Sequence, residues 1–136
     1  MDRRTRAREL VMQALYQLEV QKDIPPGQVE GFLRENTDDE MVLELALDWA
    51  KGAWENVQRC DELISTASTK WPLSRLSQVD KSILRLAVYQ LSFCPDIPPK
   101  VAINEAIELA KKFSTEQSAG FVNGVLDAVL RKLKKN

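Results

Sequence analysis

Residues 77–93 read SQVDKSILRLAVYQLSF. Ser77 and Asp80 stand three apart, the spacing at which a serine side chain caps a helix start and an acid reaches back to it. Beyond them, Val79, Ile83, Leu84, Leu86, Ala87, Val88 and Leu91 spread apolar surface over more than half of a helical circumference. A helix that is apolar on so many sides must be covered from several directions, so this stretch predicts a central helix with others packed around it. Lys81, Arg85 and Tyr89 share its less apolar side at i, i+4 and i+8. Spacing alone leaves two readings of that side, a solvated face and a ligand-binding face.

Working outward, prolines occur only at 25, 26, 72, 95, 98 and 99, which leaves long stretches free of helix breakers. Ala7, Leu10, Val11, Ala14, Leu15 and Leu18 follow the helical repeat in the first stretch. Pro25-Pro26 suit a helix start, with Val29, Phe32 and Leu33 forming a short amphipathic segment. Asp38 or Asp39 can cap a longer helix running through Val42, Trp49, Ala53, Val57, Cys60 and Ile64, with a kink expected at Gly52. After CPDIPPK, extended because residues before proline avoid the helical region, VAINEAIELAKKF places Val101, Ile103, Ala106, Ile107 and Ala110 on one face. Ser114 and Gln117 repeat the capping spacing before a last helix with Val122, Val125, Leu126, Val129, Leu130 and Leu133. No strand-hairpin signal interrupts this series. The pattern predicts one all-α domain of about six or seven helices, divided near Trp71-Pro72 into two packed sub-bundles, residues 1–70 and 71–136.

Composition excludes several functions. Histidine is absent, and with it the commonest general base and transition-metal ligand. The five glycines form neither G-x-G-x-x-G nor a P-loop, so nothing cradles a nucleotide phosphate. Cys60 and Cys94 lie far apart with no Cys-x-x-Cys spacing, as expected of buried thiols rather than a zinc or disulfide site. A protein that is no enzyme, and that needs no cofactor or metal, is expected. No apolar run approaches the roughly 18 residues of a membrane span, and the N-terminus lacks a signal-peptide core, so a cytoplasmic protein is expected.

The net charge of −1 hides two basic ends. RRTRAREL, residues 3–10, crowds four arginines into a helix start, and RKLKKN closes the chain. At a helix N-terminus each cation costs roughly 0.3–1 kcal/mol against the macrodipole. The chosen cation is always Arg, which grips phosphate bidentately and stacks on bases. Tyr16 lies off the apolar face of the same helix, and Phe121 lies off the Val122, Val125, Val129 stripe of the last one. Cations with displaced rings are a pairing that single-stranded nucleic-acid binders use. The alternative is a solvated terminus with two rings packed between helices. Asn104, Glu105 and Glu108 read as solvent-exposed salt-bridge partners, and Trp49, Trp54 and Trp71 as packing residues.

RARELVMQALYQLEV, VDKSILRLAVYQLS, DIPPKVAINEAIELAKKFS and FVNGVLD together, in this order, closely resemble the NusB family of bacterial transcription antitermination factors over nearly the whole chain. The resemblance implies a NusB-like helical fold of two sub-bundles and a non-enzymatic role. Members bind the single-stranded boxA element of nascent ribosomal RNA together with NusE, a small-subunit ribosomal protein. They act with the RNA polymerase elongation complex and other Nus factors to promote read-through, as monomers or homodimers. Carried over, the RNA face comprises Arg4, Arg6, Arg8, Tyr16, Arg85 and Phe121, and the NusE surface includes Asp80. Thr5 and Gly120 stand where relatives often carry basic residues, and Gln117 where some carry an acid. The competing readings are an accessory RNA-binding module, as fused to small-subunit rRNA cytosine methyltransferases, and a helical protein-interaction scaffold. With the sequence ending at RKLKKN, a fused methyltransferase domain is not expected.

Overall fold

A computed structural model describes residues 2–25, 27–70 and 72–134. Among them the elements are α1 (Arg3–Val20), α2 (Gln28–Asn36), α3 (Glu40–Glu55), α4 (Val57–Ala67), a single 3-10 turn (Leu73–Arg75), α5 (Gln78–Phe93), α6 (Pro99–Phe113) and α7 (Glu116–Lys134). The all-helical reading of the sequence holds. Pro26 and Trp71, invoked for a helix start and for the division of the chain, lie outside the described residues, as do Lys135 and Asn136 of the basic end.

Helix starts follow from short polar side chains. The Asp2 carboxylate accepts from the Arg4 and Thr5 backbone N–H groups, and Asp39 from those of Met41 and Val42. Ser77 Oγ accepts from the Asp80 N–H at 3.1 Å, but Asp80 does not reach back. Only half of the expected capping box forms. At α7 the cap is Thr115, whose Oγ1 accepts from the Ser118 N–H at 2.9 Å. The expected Ser114 cap sits one residue too early, and its hydroxyl donates to Ser118 Oγ instead.

The long helix expected from Val42 to Ile64 is two helices, and the break falls at Asn56, not at Gly52. Asn56 Nδ2 donates to the Gly52 carbonyl at 2.8 Å, a side-chain bond that competes with the helix ladder. Gly52 serves a different purpose. A Cβ there would overlap the Tyr89 hydroxyl and lie 2.5 Å from ring Cζ. The absent side chain lets α3 and α5 close on each other, with Tyr89 backed by Phe93 at 5.7 Å between ring centroids. Gly52→Ala should therefore lower stability by about 1–3 kcal/mol through overpacking, seen in thermal unfolding, and adding Tyr89→Phe should restore part of the loss. An unchanged melting temperature in the single variant would show that the ring yields freely.

α5 is the axis of the bundle. Every residue from Asp80 to Gln90 is buried, beneath α1, α3, α4, α6 and α7. α1 packs between α3 and α5, α6 and α7 pair closely, and α2 lies on α1 and α3. Cys60 is buried and Cys94 half-buried, both as free thiols. Burial, helped by the Asp61 charge, pushes the Cys60 thiol up to about 12. No helix among the described residues is long and apolar enough to cross a membrane.

Candidate nucleic-acid interface

The arginine cluster is partly turned inward. Residues 7–12 of α1 are buried without a break, so Arg8 and Glu9 have no water to face. Arg8 is 2% exposed. Its Nε donates to Gln90 Oε1 and its Nη1 to Glu105 Oε1, both at 3.1 Å, while its guanidinium lies 5.1 Å from the Trp49 ring centroid. Glu105 also accepts from Thr5 Oγ1 at 2.7 Å, so the acid expected to be a solvent-exposed partner pins α6 to α1. Arg3 pairs with Asp39 at 2.7 Å. Arg6 pairs with Glu9 at 3.1 Å and donates to the Asn36 carbonyl. Arg4 is exposed, with no ion pair among the described residues. Internal acids thus offset the dipole cost of three of the four arginines, which the sequence pattern did not show.

Arg85 is 5% exposed, and the side of α5 it shares with Lys81 and Tyr89 is not a solvated face. Its Nε and Nη2 grip both oxygens of Asp61 at 2.8 Å, its Nη1 donates to Glu19 Oε2 at 2.8 Å, and it lies 5.9 Å from the Trp54 ring centroid. Lys81 reaches the other Glu19 oxygen at 3.4 Å. Burial alone lowers the Arg85 pKa, but hydrogen bonds and charge from Asp61 and Glu19 outweigh it, and the net shift is upward. Arg8 and Arg85 reach a phosphate only by leaving these partners. Glu19 and Asp61 escaped sequence reasoning, although a helix apolar over most of its circumference signals that its cations need acids brought by neighbours.

Tyr16 and Phe121 lie elsewhere. Tyr16 is 39% exposed in a cleft of about 380 Å³ with Gln13, Gln17, Phe32, Val79 and Phe113. Phe121, half-buried, lines a cleft of about 280 Å³ with Arg75, Ser77, Asp80, Gln117 and Ser118. Consecutive residues at the head of α5 line the two, Val79 the first and Asp80 the second. Lys112, next to Phe113, bonds Glu9 at 2.6 Å, and Glu9 also holds Arg6. Arg75 lines the Phe121 cleft, and the Lys112 ammonium lies 5.4 Å from the ring centroid of Phe113, which lines the Tyr16 cleft; both cations went unremarked in the sequence. Arg4 lines a separate depression of about 790 Å³ on which Asp2, Asp48 and Asp96 also border. Asp80, expected on a partner surface, is buried at the head of α5 and borders the Phe121 cleft.

Comparison with known proteins places this arrangement in a family. Transcription antitermination protein NusB of Acetivibrio thermocellus is 44% identical over 128 residues, covering 94% of this chain and 88% of that protein. The solved structure of T. maritima NusB is 43% identical with a TM-score of 0.84, covering 97% of this chain and 92% of the other. A crystal structure of antitermination factors NusB and NusE in complex with dsRNA contains a chain 26% identical to this one, with a TM-score of 0.87 and coverage of 97% and 98%. The NusB family model matches residues 5–131, a span that includes both ring clefts and every buried ion pair described above, and the chain belongs to the NusB family.

Proposed function

We propose that this protein is a transcription antitermination factor that binds single-stranded boxA RNA of nascent ribosomal RNA transcripts together with NusE, and so promotes read-through by RNA polymerase in the bacterial cytoplasm. The role is binding, not catalysis. Its relatives carry the antitermination name, and a similar chain has been crystallised with NusE and RNA. The observation that carries the reading here is that Tyr16 and Phe121 each line a cleft at the head of α5 with a cation nearby, Lys112 over Phe113 in the first and Arg75 in the second. Rings in such a setting stack on unpaired bases while Lys112 and Arg75 meet the backbone, and Arg6, half-buried and paired with Glu9, adds positive charge further along α1. With Arg8 and Arg85 occupied internally, they serve the interface by holding α1 and α5 in place, and Arg4 extends it at the helix start.

Binding of boxA RNA, single-stranded and as a duplex, with and without NusE, tests this directly. If about four to six phosphates are neutralised, log affinity for the single strand should fall with log salt by roughly 0.7 per phosphate. NusE should raise the affinity. A flat salt response would favour a protein-binding scaffold instead, and equal binding of the duplex would show that unpaired bases are not what is recognised.

A further inference from the structure

Where the heads of α5 and α7 meet, a buried carboxyl is held with one oxygen in use and one idle. Asp80 is 8% exposed. Its Oδ2 accepts from Ser118 Oγ at 3.0 Å, whereas its Oδ1 is buried without a hydrogen-bond partner. The arrangement is fixed from behind. Ser114 and Thr115 hydroxyls donate to Ser118 Oγ at 2.9 and 3.1 Å, which commits the Ser118 proton to Asp80. An unpaired acceptor at this depth costs free energy unless a donor arrives. Asp80 lines the cleft of about 280 Å³ whose wall includes Phe121 and which Arg75 and Gln117, both exposed, also line.

We propose that this cleft is a base-reading subsite for guanine in the bound RNA, with Phe121 as the stacking wall and Asp80 accepting from the base's N1–H and N2–H groups. The inference rests on the RNA-binding reading above and adds a specificity determinant to it. An idle carboxyl oxygen repels phosphate and calls for N–H donors. Among the four bases, guanine alone sets two adjacent donors on its Watson–Crick edge, with the O6 acceptor beside them. Arg75 and Gln117, which line the same cleft, carry N–H groups of the kind that acceptor needs. Uracil offers one N–H between two carbonyls, which would face the carboxyl unfavourably. The volume lies below the about 300–1,000 Å³ of common small-molecule sites and suits one planar ring system.

Fluorescence anisotropy on short uridine oligomers, carrying a central guanosine, a central inosine or uridine throughout, provides the test. The unaltered protein should bind the guanosine strand about tenfold more tightly than the all-uridine strand, the discrimination of one good two-donor contact. Inosine, which lacks the N2 amino group, should fall between them. Asp80→Asn should collapse the preference to below about twofold and bind the all-uridine strand more tightly, because a negative charge near phosphates is gone. A merely structural Asp80 would instead weaken every strand alike. Should Asp80→Asn fold poorly, the exchange of guanosine for inosine still decides the matter with the unaltered protein. Equal binding of the three strands, or a preference that survives in Asp80→Asn, overturns the subsite while leaving RNA binding intact. Failure to bind any strand, with or without NusE, overturns the RNA-binding reading and the subsite together. If Asp80→Asn impairs NusE binding yet keeps the guanine preference, the cleft takes a protein side chain and the base assignment is wrong.

Discussion

Arg85→Ala should destabilise the protein by about 3–5 kcal/mol, the scale of breaking a buried ion pair by removing one partner. At this chain length that is a fall of about 10–15 °C in melting temperature. The loss is large because Asp61 and Glu19 stay behind, turned toward an apolar helix and the Trp54 ring with no cation between them. Arg85→Lys keeps the charge but cannot grip both oxygens of Asp61 and reach Glu19 together, so it should recover only part of the stability. The pH dependence supplies a second signature. Burial by itself raises the Glu19 pKa, but hydrogen bonds and charges from Arg85 and Lys81 outweigh it, and the carboxyl sits below its ordinary value. A depressed carboxylate contributes stability that is fully present above about pH 4.3 and is lost as the pH falls through the folded-state value. The unaltered protein should thus lose more stability on acidification than Arg85→Ala does. Melting curves that superimpose at neutral pH would mean that this network contributes nothing net.

Removing both displaced rings should weaken single-stranded RNA binding most. Tyr16→Ala and Phe121→Ala are each expected to cost about 1–3 kcal/mol, one lost stacking partner apiece. The two lie in separate clefts and on different helices, so the double variant should approach the sum. The salt slope should stay the same in both, whereas Lys112→Gln should lower it by about 0.7. Arg8→Ala, which on sequence alone looked like a lost phosphate contact, should appear in the melting temperature instead, because Gln90, Glu105 and Trp49 enclose that guanidinium. Phe121 also packs on the core, so Phe121→Leu provides the control that keeps apolar contact but removes the flat face. Normal RNA affinity in a folded double variant would place both rings among packing residues.

The fold was readable because apolar spacing and cap residues are local signals. Ser77, Asp2 and Asp39 act within three residues of themselves, and α5 announced its burial by apolar residues on most of its circumference. What was not readable depends on distant partners. Whether Arg85 meets phosphate or Asp61 turns on a contact across 24 positions, and Arg8 with Glu105 spans 97. Gly52 looked like a flexible point because nothing nearby in sequence mentions Tyr89. The same limit separated the arginines into internal and external members only once the fold was known. The placement of Tyr16 and Phe121 off their helices' apolar stripes was legible because displacement from a stripe is itself a local observation.

The sheathing of α5 also sets the order in which the molecule can come apart. From Asp80 to Gln90 no backbone segment reaches the surface, and five other helices must move before its hydrogen bonds meet water. Amide protons there exchange with solvent only when the whole bundle opens. α2 rests chiefly on α1 and α3, with Leu33 its one fully covered side chain among the described residues, and can detach while the rest stands. The ring clefts border both regimes, since Val79 and Asp80 belong to the first turn of the slowest helix and Phe32 to the most easily released one.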